Sequence, residues 1–391
     1  MNKKEVKKAP TLRFKGFTND WEQQSLKKIF TTITDYVANG SFASLRHNVK
    51  TYKNPNYAYL IRLMDASNNW NGPWLFTDKK GYDFLSKSSL KPKDILLSNV
   101  GAGVGKTFQV PKLDKPMTLA PNAVLLRSNK LNNQFCFYLL KYPQNKNKVL
   151  SLVGVSAQPK LNKTDFGRLI FNIPSDRSEQ DKISKILSKL DKIVNLQQRK
   201  LESFQFTYHE IIRRLFLKKA KWQQTKLSDL VTILDKNRKP VKKEDRLFGD
   251  TPYYGANGIQ DYISGFTHKG EFILIAEDGA NSLTEYPIYF VKGQIWVNNH
   301  AHVLKINKDV SPLFLALALK QINYSKYTVG SSRNKLNLKD LENIAIFIPD
   351  NNEQQRIGQF YSNYLNYLRI NKKRIQYMKQ FKQFLLQNMF I

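Results

Sequence analysis

The chain has 391 residues, 41% of them apolar, and its 63 Lys and Arg against 31 Asp and Glu give a formal charge of +32. This composition excludes a disordered tail and allows two or three domains, while basic residues along the whole chain indicate a polyanionic partner. The single cysteine, Cys136, excludes an internal disulfide, and the longest apolar run, Leu313 to Leu319, is too short to cross a bilayer. We therefore expect a cytoplasmic protein without a membrane segment.

An internal repeat organises the sequence. WEQQSLKKIFTTITD, which begins at Trp21, resembles WQQTKLSDLVTILD, which begins 201 residues later at Trp222. KLNKTDFGRLIFNIP from Lys160 likewise resembles KLNLKDLENIAIFIP, which begins 175 residues later at Lys335. The order of the matching segments is the same in both copies, so the repeat predicts two similar domains and a pseudo-two-fold arrangement.

Each copy is predicted to be an α+β domain followed by a long helix. Residues 1–175 contain short β-rich runs such as DILLS and AVLLRS, separated by Gly, Pro and Asn, and one helical stretch, FCFYLLK. A helix is predicted over residues 176–219. The second copy repeats this order, with a mixed β-sheet domain over residues 220–350 and a second helix over residues 351–391.

The stretch SNVGAGVGKTF, from Ser98 to Phe108, superficially resembles the phosphate-binding loop of an ATPase. That loop needs a first glycine where this chain has Val100, and Pro111 and Pro116 prevent the helix that should follow. The second copy keeps the Gly-Ala pair but has Thr284 where the first has Lys106. We interpret the stretch as a turn at the end of a strand.

Other motifs do not predict catalysis by this chain. NPNY at residues 54–57 and the glycines at 101, 103 and 105 together imitate a DNA adenine methyltransferase, but that fold needs alternating strands and helices. His300 and His302 lack acidic or cysteine companions at metal-ligand spacing, so no metal site is predicted. A self-sufficient DNA adenine methyltransferase and a two-headed architectural DNA-binding protein remain alternatives.

Both long helices carry a heptad seam, with residues spaced alternately three and four apart. In an antiparallel pair, the polar seam positions of the two helices would meet near the centre. In the first helix, we expect the spacing to continue through Tyr208 to Ile211 and Leu215. The predicted helix–helix seam comprises Leu187, Leu190, Val194, Gln197, Leu201, Tyr364, Leu368, Asn371 and Ile375.

Polar, aromatic and basic loops in both domains are candidates for DNA contact. Arg, Lys, Asn and Gln can read base edges, and Lys and Ser can hold phosphates. In the first domain the candidates are Arg46, Lys50, Tyr52, Lys53, Lys106, Ser156, Gln158 and Lys160. In the second they are Lys236, Asn237, Arg238, Lys239, Tyr253, Tyr254, Asn257, His268, Lys269, Asn298, Asn299, His300, Ser332, Arg333, Asn334 and Lys335.

The sequence resembles the specificity subunit of bacterial type I restriction-modification systems along nearly its whole length. The resemblance lies in PTLRFKGFTNDWEQQSL near the N-terminus, the two Ile-Pro and Glu-Gln junctions before the helices, YYGANGI, ILIAEDGA and the terminal QFLLQNMF. It implies two target-recognition domains, each reading one half of a split DNA site. It also implies two antiparallel helices in a coiled coil that sets the gap between the half-sites.

The resemblance further implies partners and cofactors. Two methyltransferase subunits would flank this chain and methylate adenine at N6, and two motor-nuclease subunits could join for cleavage. S-adenosylmethionine, ATP and Mg would then belong to these partners, and this chain would be a non-catalytic specificity subunit that binds double-stranded DNA.

Overall fold

The computed structural model describes residues 9–154, 159–217, 222–307, 309–330 and 334–391. The chain divides into two compact units. The first unit contains residues 1–197 and 375–391, and the second contains residues 198–374. Each unit therefore includes one α+β domain together with part of each long helix, whereas the sequence-based boundaries treat the helices as separate segments.

The first unit is built from short strands and helices. Its strands are β1 (Glu22–Ser25), β2 (Thr32–Asp35), β3 (Ala58–Ile61), β4 (Phe76–Thr77), β5 (Ser89–Leu90), β6 (Ile95–Ser98), β7 (Thr107–Gln109), β8 (Met117–Leu119), β9 (Ala123–Arg127) and β10 (Ile170–Ile173). Its short helices are α1 (Leu26–Ile29), α2 (Phe42–Asn48), α3 (Leu63–Ser67), α4 (Lys79–Phe84), α5 (Asn133–Lys141), α6 (Pro143–Leu150) and α7 (Lys163–Arg168). The strands form sheets in the orders β2-β9-β6-β7, β4-β3-β8-β5 and β1-β10.

The central sheet of the first unit is buried on both faces. Side chains alternate along a strand, so Ile95 and Leu97 of β6 face the cluster that contains helix α5, while Leu96 faces the cluster that contains β3 and β8. A strand buried on both faces needs a continuous apolar run, which explains the Ile-Leu-Leu sequence of β6. Asn132 caps α5 by accepting hydrogen bonds from the backbone of Gln134 and Phe135.

A long helix, α8 (Arg177–Leu217), links the two units. The second unit continues with strands β11 (Gln223–Lys226), β12 (Val231–Ile233), β13 (Phe248–Gly255), β14 (Gly258–Ile263), β15 (His268–Ala276), β16 (Ile288–Val297), β17 (Ala301–Ile306), β18 (Thr328–Val329), β19 (Lys335–Leu336) and β20 (Ala345–Ile348). Its helices are α9 (Leu227–Leu230), α10 (Pro312–Leu319), α11 (Leu338–Glu342) and the long α12 (Asn351–Asn388), which ends in the first unit.

The main sheet of the second unit repeats the alternation of the first. Its strand order is β12-β17-β15-β16-β13-β14, with β13 and β16 parallel and the other neighbours antiparallel. Ile273 and Ile275 of β15 face the cluster that contains α10, while Leu274 faces a second cluster. The predicted fold class, two α+β domains with mixed sheets and long helices, is confirmed.

Within each unit, α8 and α12 run antiparallel. In the second unit, Phe204 lies against Tyr367 with ring centroids 4.2 Å apart, and Tyr208 lies against Phe360 at 5.5 Å, so the partner number falls as the α8 number rises. In the first unit, Asp191 of α8 pairs with Lys382 of α12 at 2.5 Å. Apolar and aromatic contacts of this kind are what a heptad seam is expected to supply.

The predicted seam residues are buried to different degrees. Leu187, Val194, Leu201, Tyr364 and Ile375 are buried, whereas Leu190, Leu368, Gln197 and Asn371 are half-buried. The amide of Asn371 donates to the carbonyl of Tyr367 in its own helix at 2.8 Å.

The expected spacing is wrong beyond Tyr208. Ile211 is 47% exposed, and the buried residues are instead Ile212 and Phe216, each four positions further on. A straight α-helix has 3.6 residues per turn, so a heptad stripe drifts around it. Here the end of α8 turns its buried stripe towards Trp222 and Phe314, whose rings lie 5.3 and 6.1 Å from that of Phe216.

A buried glutamine at the equivalent position of each repeat fixes the start of each long helix. The buried Gln180 donates to the carbonyl of Pro174 and accepts from the backbone of Asn132. Gln354, 174 residues later, donates to Pro349 and accepts from Ser311. Each glutamine thus ties a long helix to the preceding strand and to the cap of the apolar helix, either α5 or α10. Among the described helices, none has the length and apolarity of a membrane span.

Candidate nucleic-acid interface

The repeat places one backbone turn at the same position in both units. In the first unit, Gly101 donates from its backbone to Pro159, and Leu161 donates to Asn99. In the second, Gly279 donates to Asn334, and Leu336 donates to Glu277. The turn after β6 or β15 therefore pairs with the segment that carries the Lys-Leu-Asn triplet, in agreement with the sequence offsets.

In the first unit this turn is a hairpin between β6 and β7. The backbone of Gly105 donates to Ser98, and Ser98 donates to Lys106. Gly105 has a φ of +81°, and a β-carbon there would lie 2.7 Å from a methyl group of Leu150, so a larger residue would be strained and would displace that side chain. The GVGKT segment is therefore a hairpin, as expected from the sequence.

Lys106 and Lys160 lie on opposite edges of the same strand end. Lys106 bonds to Ser98 on one edge, and Lys160 forms an isolated bridge with Val100 on the other. Both side chains are exposed. Two cations beside a turn give the first unit a small basic surface suited to phosphate contact.

In the second unit, loops from four parts of the chain meet at the turn after β15. The Asn257 amide donates to the carbonyl of Gly279 at 2.9 Å and accepts from the backbone of Asn281 at 3.0 Å. The His300 ring nitrogen Nδ1 lies 2.5 Å from Asp278 Oδ1. We call this group, with Asn334 and Lys335, the loop cluster; the exposed Asn299 lies directly before His300.

An ionic network supports the loop cluster from inside the domain. Arg238 donates to Glu277 at 2.6 Å and to the carbonyl of Ala301 at 3.0 Å. Asp235 accepts from the backbone of Val303, and its Oδ2 lies 2.5 Å from Nδ1 of the buried His302. Burial alone would raise the pKa of Asp235, but its bonds to His302 and Val303 and the nearby charges of His302 and Arg238 lower that pKa overall.

In the folded chain His302 lies beside acidic residues, although none of them stands at metal-ligand spacing from it in the sequence. Oxygen and nitrogen atoms of Asp235, Glu277 and His302 lie within 4.8 Å of one another, a grouping that could hold a metal ion. Strand pairing brings these residues together although they are far apart in sequence. Arg238 already supplies a positive charge to both carboxylates, so the group is satisfied as an ion-pair network.

Several predicted contact residues are buried and serve the fold. Tyr253 is 1% exposed and its hydroxyl bonds to the backbone of Val241. His268 is 4% exposed and lies between Thr267 and Leu234, and Asn298 accepts from the backbone of His300. Arg238 is engaged in the network above. These four side chains do not form an accessible contact surface, which corrects the sequence-based prediction for them.

The remaining described candidates stay accessible. Tyr52 and Tyr254 are half-buried, and the Tyr52 hydroxyl donates to Asp78. Arg46 and Lys50 lie on and just after α2, whose buried Leu45 and Val49 pack into a separate cluster. Ser156, Gln158, Ser332 and Arg333 lie outside the described residues. The exposed candidates also include Lys53, Lys236, Asn237, Lys239 and Lys269.

A protein-family comparison decides the identity of the two repeated units. The family model for the type I restriction modification DNA specificity domain matches residues 18–204 and again residues 219–380. The chain belongs to this family. The two α+β domains are accordingly called recognition domains one and two below.

Individual members of the specificity-domain family match parts of the chain. A Haemophilus influenzae protein named as a type I restriction enzyme specificity subunit is 44% identical over 131 residues, which are 34% of this chain and 34% of that protein. The MjaVIII specificity subunit of Methanocaldococcus jannaschii is 24% identical over 180 residues, 43% of this chain and 42% of that protein. These matches thus span about a third to two fifths of each relative.

Solved structures share the fold. A type I restriction-modification S subunit from M. genitalium aligns with a TM-score of 0.67 and 17% identity, covering 98% of this chain and 99% of that one. A chain from a structure concerned with complex assembly of the type I restriction-modification system aligns with a TM-score of 0.53 and 13% identity, covering 94% and 96%.

One loop of recognition domain one with an unusual backbone was not among the sequence-based candidates. Asn69 and Trp70, between α3 and β4, have positive φ angles of 52° and 62°, which is uncommon for residues other than glycine. Asn69 and Asn71 are exposed, and Trp70 packs against the cluster around β3. The signal was the sequence Asn-Asn-Trp-Asn-Gly, whose polar and aromatic residues match those of the loops that were chosen.

Proposed function

We propose that this chain is the DNA-recognition subunit of a type I restriction-modification complex. Each recognition domain reads one half of a bipartite target, and the long helices set the gap between the halves. Partner methyltransferase subunits then methylate adenine at N6, or motor-nuclease subunits cleave. The chain acts on double-stranded DNA and supplies no catalytic group of its own.

The proposal rests on the duplicated turn. This turn occurs once in each of the two segments that match the DNA specificity family. Gly101 with Pro159, and Gly279 with Asn334, make equivalent backbone bonds in the two domains. Around each turn the loops differ, with Lys106 and Lys160 in one domain and the loop cluster in the other. A shared framework with different loops suits two domains that read different half-sites, and the charge of +32 favours a nucleic-acid partner.

The loop cluster and the Asn69–Trp70 loop are the proposed base-reading surfaces. Asn299 can offer a donor and an acceptor to an adenine edge, and Lys335 can reach a guanine or a phosphate, while the Asn257 amide holds the turn. In recognition domain one, Lys106 and Lys160 supply the basic surface beside the turn, and Arg46 and Lys50 are exposed cations at α2.

A domain exchange tests the proposal. Residues 21–174 are replaced by the corresponding segment of a relative with a known target, and methylated sites are read by sequencing the host genome. We expect one half of the methylated sequence to change, while the other half and the gap stay constant. A target that is unchanged, or that changes in both halves, contradicts the proposal.

The absence of intrinsic catalysis is tested separately. The purified chain is incubated with S-adenosylmethionine and DNA, with and without methyltransferase subunits. We expect methyl transfer only with the subunits, because S-adenosylmethionine, and ATP with Mg in the cleavage complex, are assigned to the partners. Methylation by the chain alone would favour the self-sufficient methyltransferase. We place the complex in the cytoplasm, where DNA is accessible.

A further inference from the structure

A segment near the N-terminus covers one end of the helix pair in the first unit. The backbone of Leu12 donates to Asn388 at the end of α12. The Arg13 guanidinium forms two bonds to the carboxylate of Glu179, at 2.7 and 2.8 Å. Glu179 is completely buried as a result, and hydrogen bonding to it raises the pKa of Arg13.

Aromatic residues of the same segment complete the cover. Phe14 packs against the cluster that contains Ile183, Leu385 and Met389. The Phe17 ring lies 4.7 Å from the ammonium of Lys182. Leu385 and Met389 are each only 3% exposed under this cover.

The second unit has the same helix surface, shifted by 174 residues, but without a cover among the described residues. Ile211 and Leu215 of α8 take the places of Leu385 and Met389, and Glu353 of α12 takes the place of Glu179. These residues, with Arg356, Ile357 and Phe360, line a groove of about 720 Å³. Ile211 is 47% and Phe360 41% exposed there. No ion pair to the Glu353 carboxylate occurs within the described ranges of the chain.

The connectivity differs between the units. In the second unit, only residues 218–221 separate Leu217 of α8 from Trp222 of recognition domain two. Among the described residues, an arginine-bearing cover lies over the first of the two equivalent surfaces and none lies over the second.

We propose that the groove between α8 and α12 in the second unit binds an extended segment of a partner polypeptide, in which an arginine pairs with Glu353 and the aromatic residue after it covers Ile211 and Leu215. The first unit supplies the template, because Arg13 pairs with Glu179 and Phe14 packs against the cluster that contains Leu385 and Met389. A second copy of this chain fits less well, since its own Arg13 is already paired with Glu179. The inference goes beyond DNA recognition, and an empty groove would leave the domain exchange result untouched.

The test uses the full-length chain and a fluorescent peptide with the sequence of residues 9–18, APTLRFKGFT, followed by anisotropy. We expect saturable binding that Glu353→Gln and Ile211→Ser each weaken about tenfold or more, because a bidentate charged bond or the apolar contact is lost. Changing the arginine of the peptide to glutamine should have the same effect as Glu353→Gln. The matched control is Glu244→Gln, an exposed carboxylate of the same unit outside the groove, which should leave the affinity unchanged.

Two results would overturn the inference. The first is no binding, or binding that is equal for the original chain and Glu353→Gln, since the peptide would then not use the groove. The second is self-association of the chain in sedimentation that Glu353→Gln abolishes, because the occupant would then be a second copy. Circular dichroism of each variant confirms that the fold is retained.

Discussion

Arg238 illustrates how a single residue can support a binding surface without contacting the ligand. Its guanidinium neutralises Glu277 and Asp235, and all three side chains are less than a fifth exposed. Glu277 in turn bonds through its backbone to His300 and Leu336, which border the loop cluster. The arginine therefore fixes the loops that we propose to meet DNA.

Replacing Arg238 with alanine should destabilise the chain. The change leaves two partly buried carboxylates without their guanidinium partner, with only His302 and Lys335 nearby, and we expect a loss of about 2–4 kcal/mol in the free energy of unfolding. Urea denaturation followed by circular dichroism measures it. Lys239→Ala, the exposed neighbour, should change stability by less than about 0.5 kcal/mol. Equal stability of the two variants would show that the network is not structural.

His268 makes the stability of the second unit depend on pH. Burial lowers its pKa, with the charge of Arg238 acting in the same direction, while the carbonyl of Leu234 and the charge of Asp235 oppose the shift. A histidine with a lowered pKa in the folded state stabilises the fold above its unfolded pKa of about 6.5 and loses that contribution as the pH falls.

We therefore expect the free energy of unfolding to fall between about pH 7 and pH 5, and part of this fall to disappear in His268→Phe. Urea titrations at several pH values measure the slope. A slope that is the same in His268→Phe and the original chain rules out this role for His268.

At the scale of elements, the buried glutamines hold the long helices to their domains. Gln354 bonds to a carbonyl before α12 and to an amide at the cap of α10, and Gln180 does the same for α8 and α5. Both partners are buried backbone groups, so the loss of the amide leaves a donor and an acceptor unsatisfied.

Gln354→Leu should accordingly cost about 2–4 kcal/mol of unfolding free energy, from two buried bonds of about 1–2 kcal/mol each. Gln355→Leu, one position along and exposed, is the matched control and should be nearly neutral. Chemical denaturation distinguishes them. Similar values for the two variants would mean that the glutamine bonds add nothing to stability.

At the polar seam positions, unlike at Gln354, we expect replacement by leucine to preserve or raise the stability of the chain. Gln197 and Asn371 are half-buried among apolar seam residues, and a polar residue at such a position costs stability while restricting register. The double variant Gln197→Leu with Asn371→Leu should keep its helical content and unfold at an equal or higher urea concentration. A large loss of helical circular dichroism would contradict this expectation.

At the scale of the whole molecule, the prediction concerns the helices as the spacer that sets the gap between the two half-sites. At about 1.5 Å per residue, a helix of forty residues spans roughly 60 Å, and one added turn lengthens it by about 5 Å. If the helices set the gap, inserting a turn near Ser188 should change the gap in the methylated target and leave both half-sites as they were. Methylome sequencing measures this outcome directly. An unchanged gap would show that the helices do not set the distance between the half-sites.

Much of the architecture could be predicted because it depends on patterns of residues that lie close together in the sequence. Matching segments around Trp21 and Trp222 revealed the repeat, alternating apolar runs predicted the strands, and uninterrupted stretches predicted α8 and α12. The heptad prediction failed after Tyr208, because the buried stripe at the end of α8 turns towards Trp222 and Phe314 of recognition domain two. Where such a stripe turns depends on residues outside the helix, which the spacing within the helix does not show.

By itself, the sequence determined the repeat, the family resemblance and the interpretation of SNVGAGVGKTF as a turn, because these depend on residue order and on backbone constraints within a few positions. The tertiary structure decided which polar residues are available. Arg238, Tyr253 and His268 look like DNA-reading residues in a loop sequence, yet the fold engages them with partners up to 63 positions away, such as Ala301 beside Arg238. The tertiary structure also revealed the groove at Glu353, which no described residue covers, because equivalent surfaces can be recognised only when the two halves of the fold are compared. Burial and pairing are long-range properties, and a composition or a spacing cannot specify them.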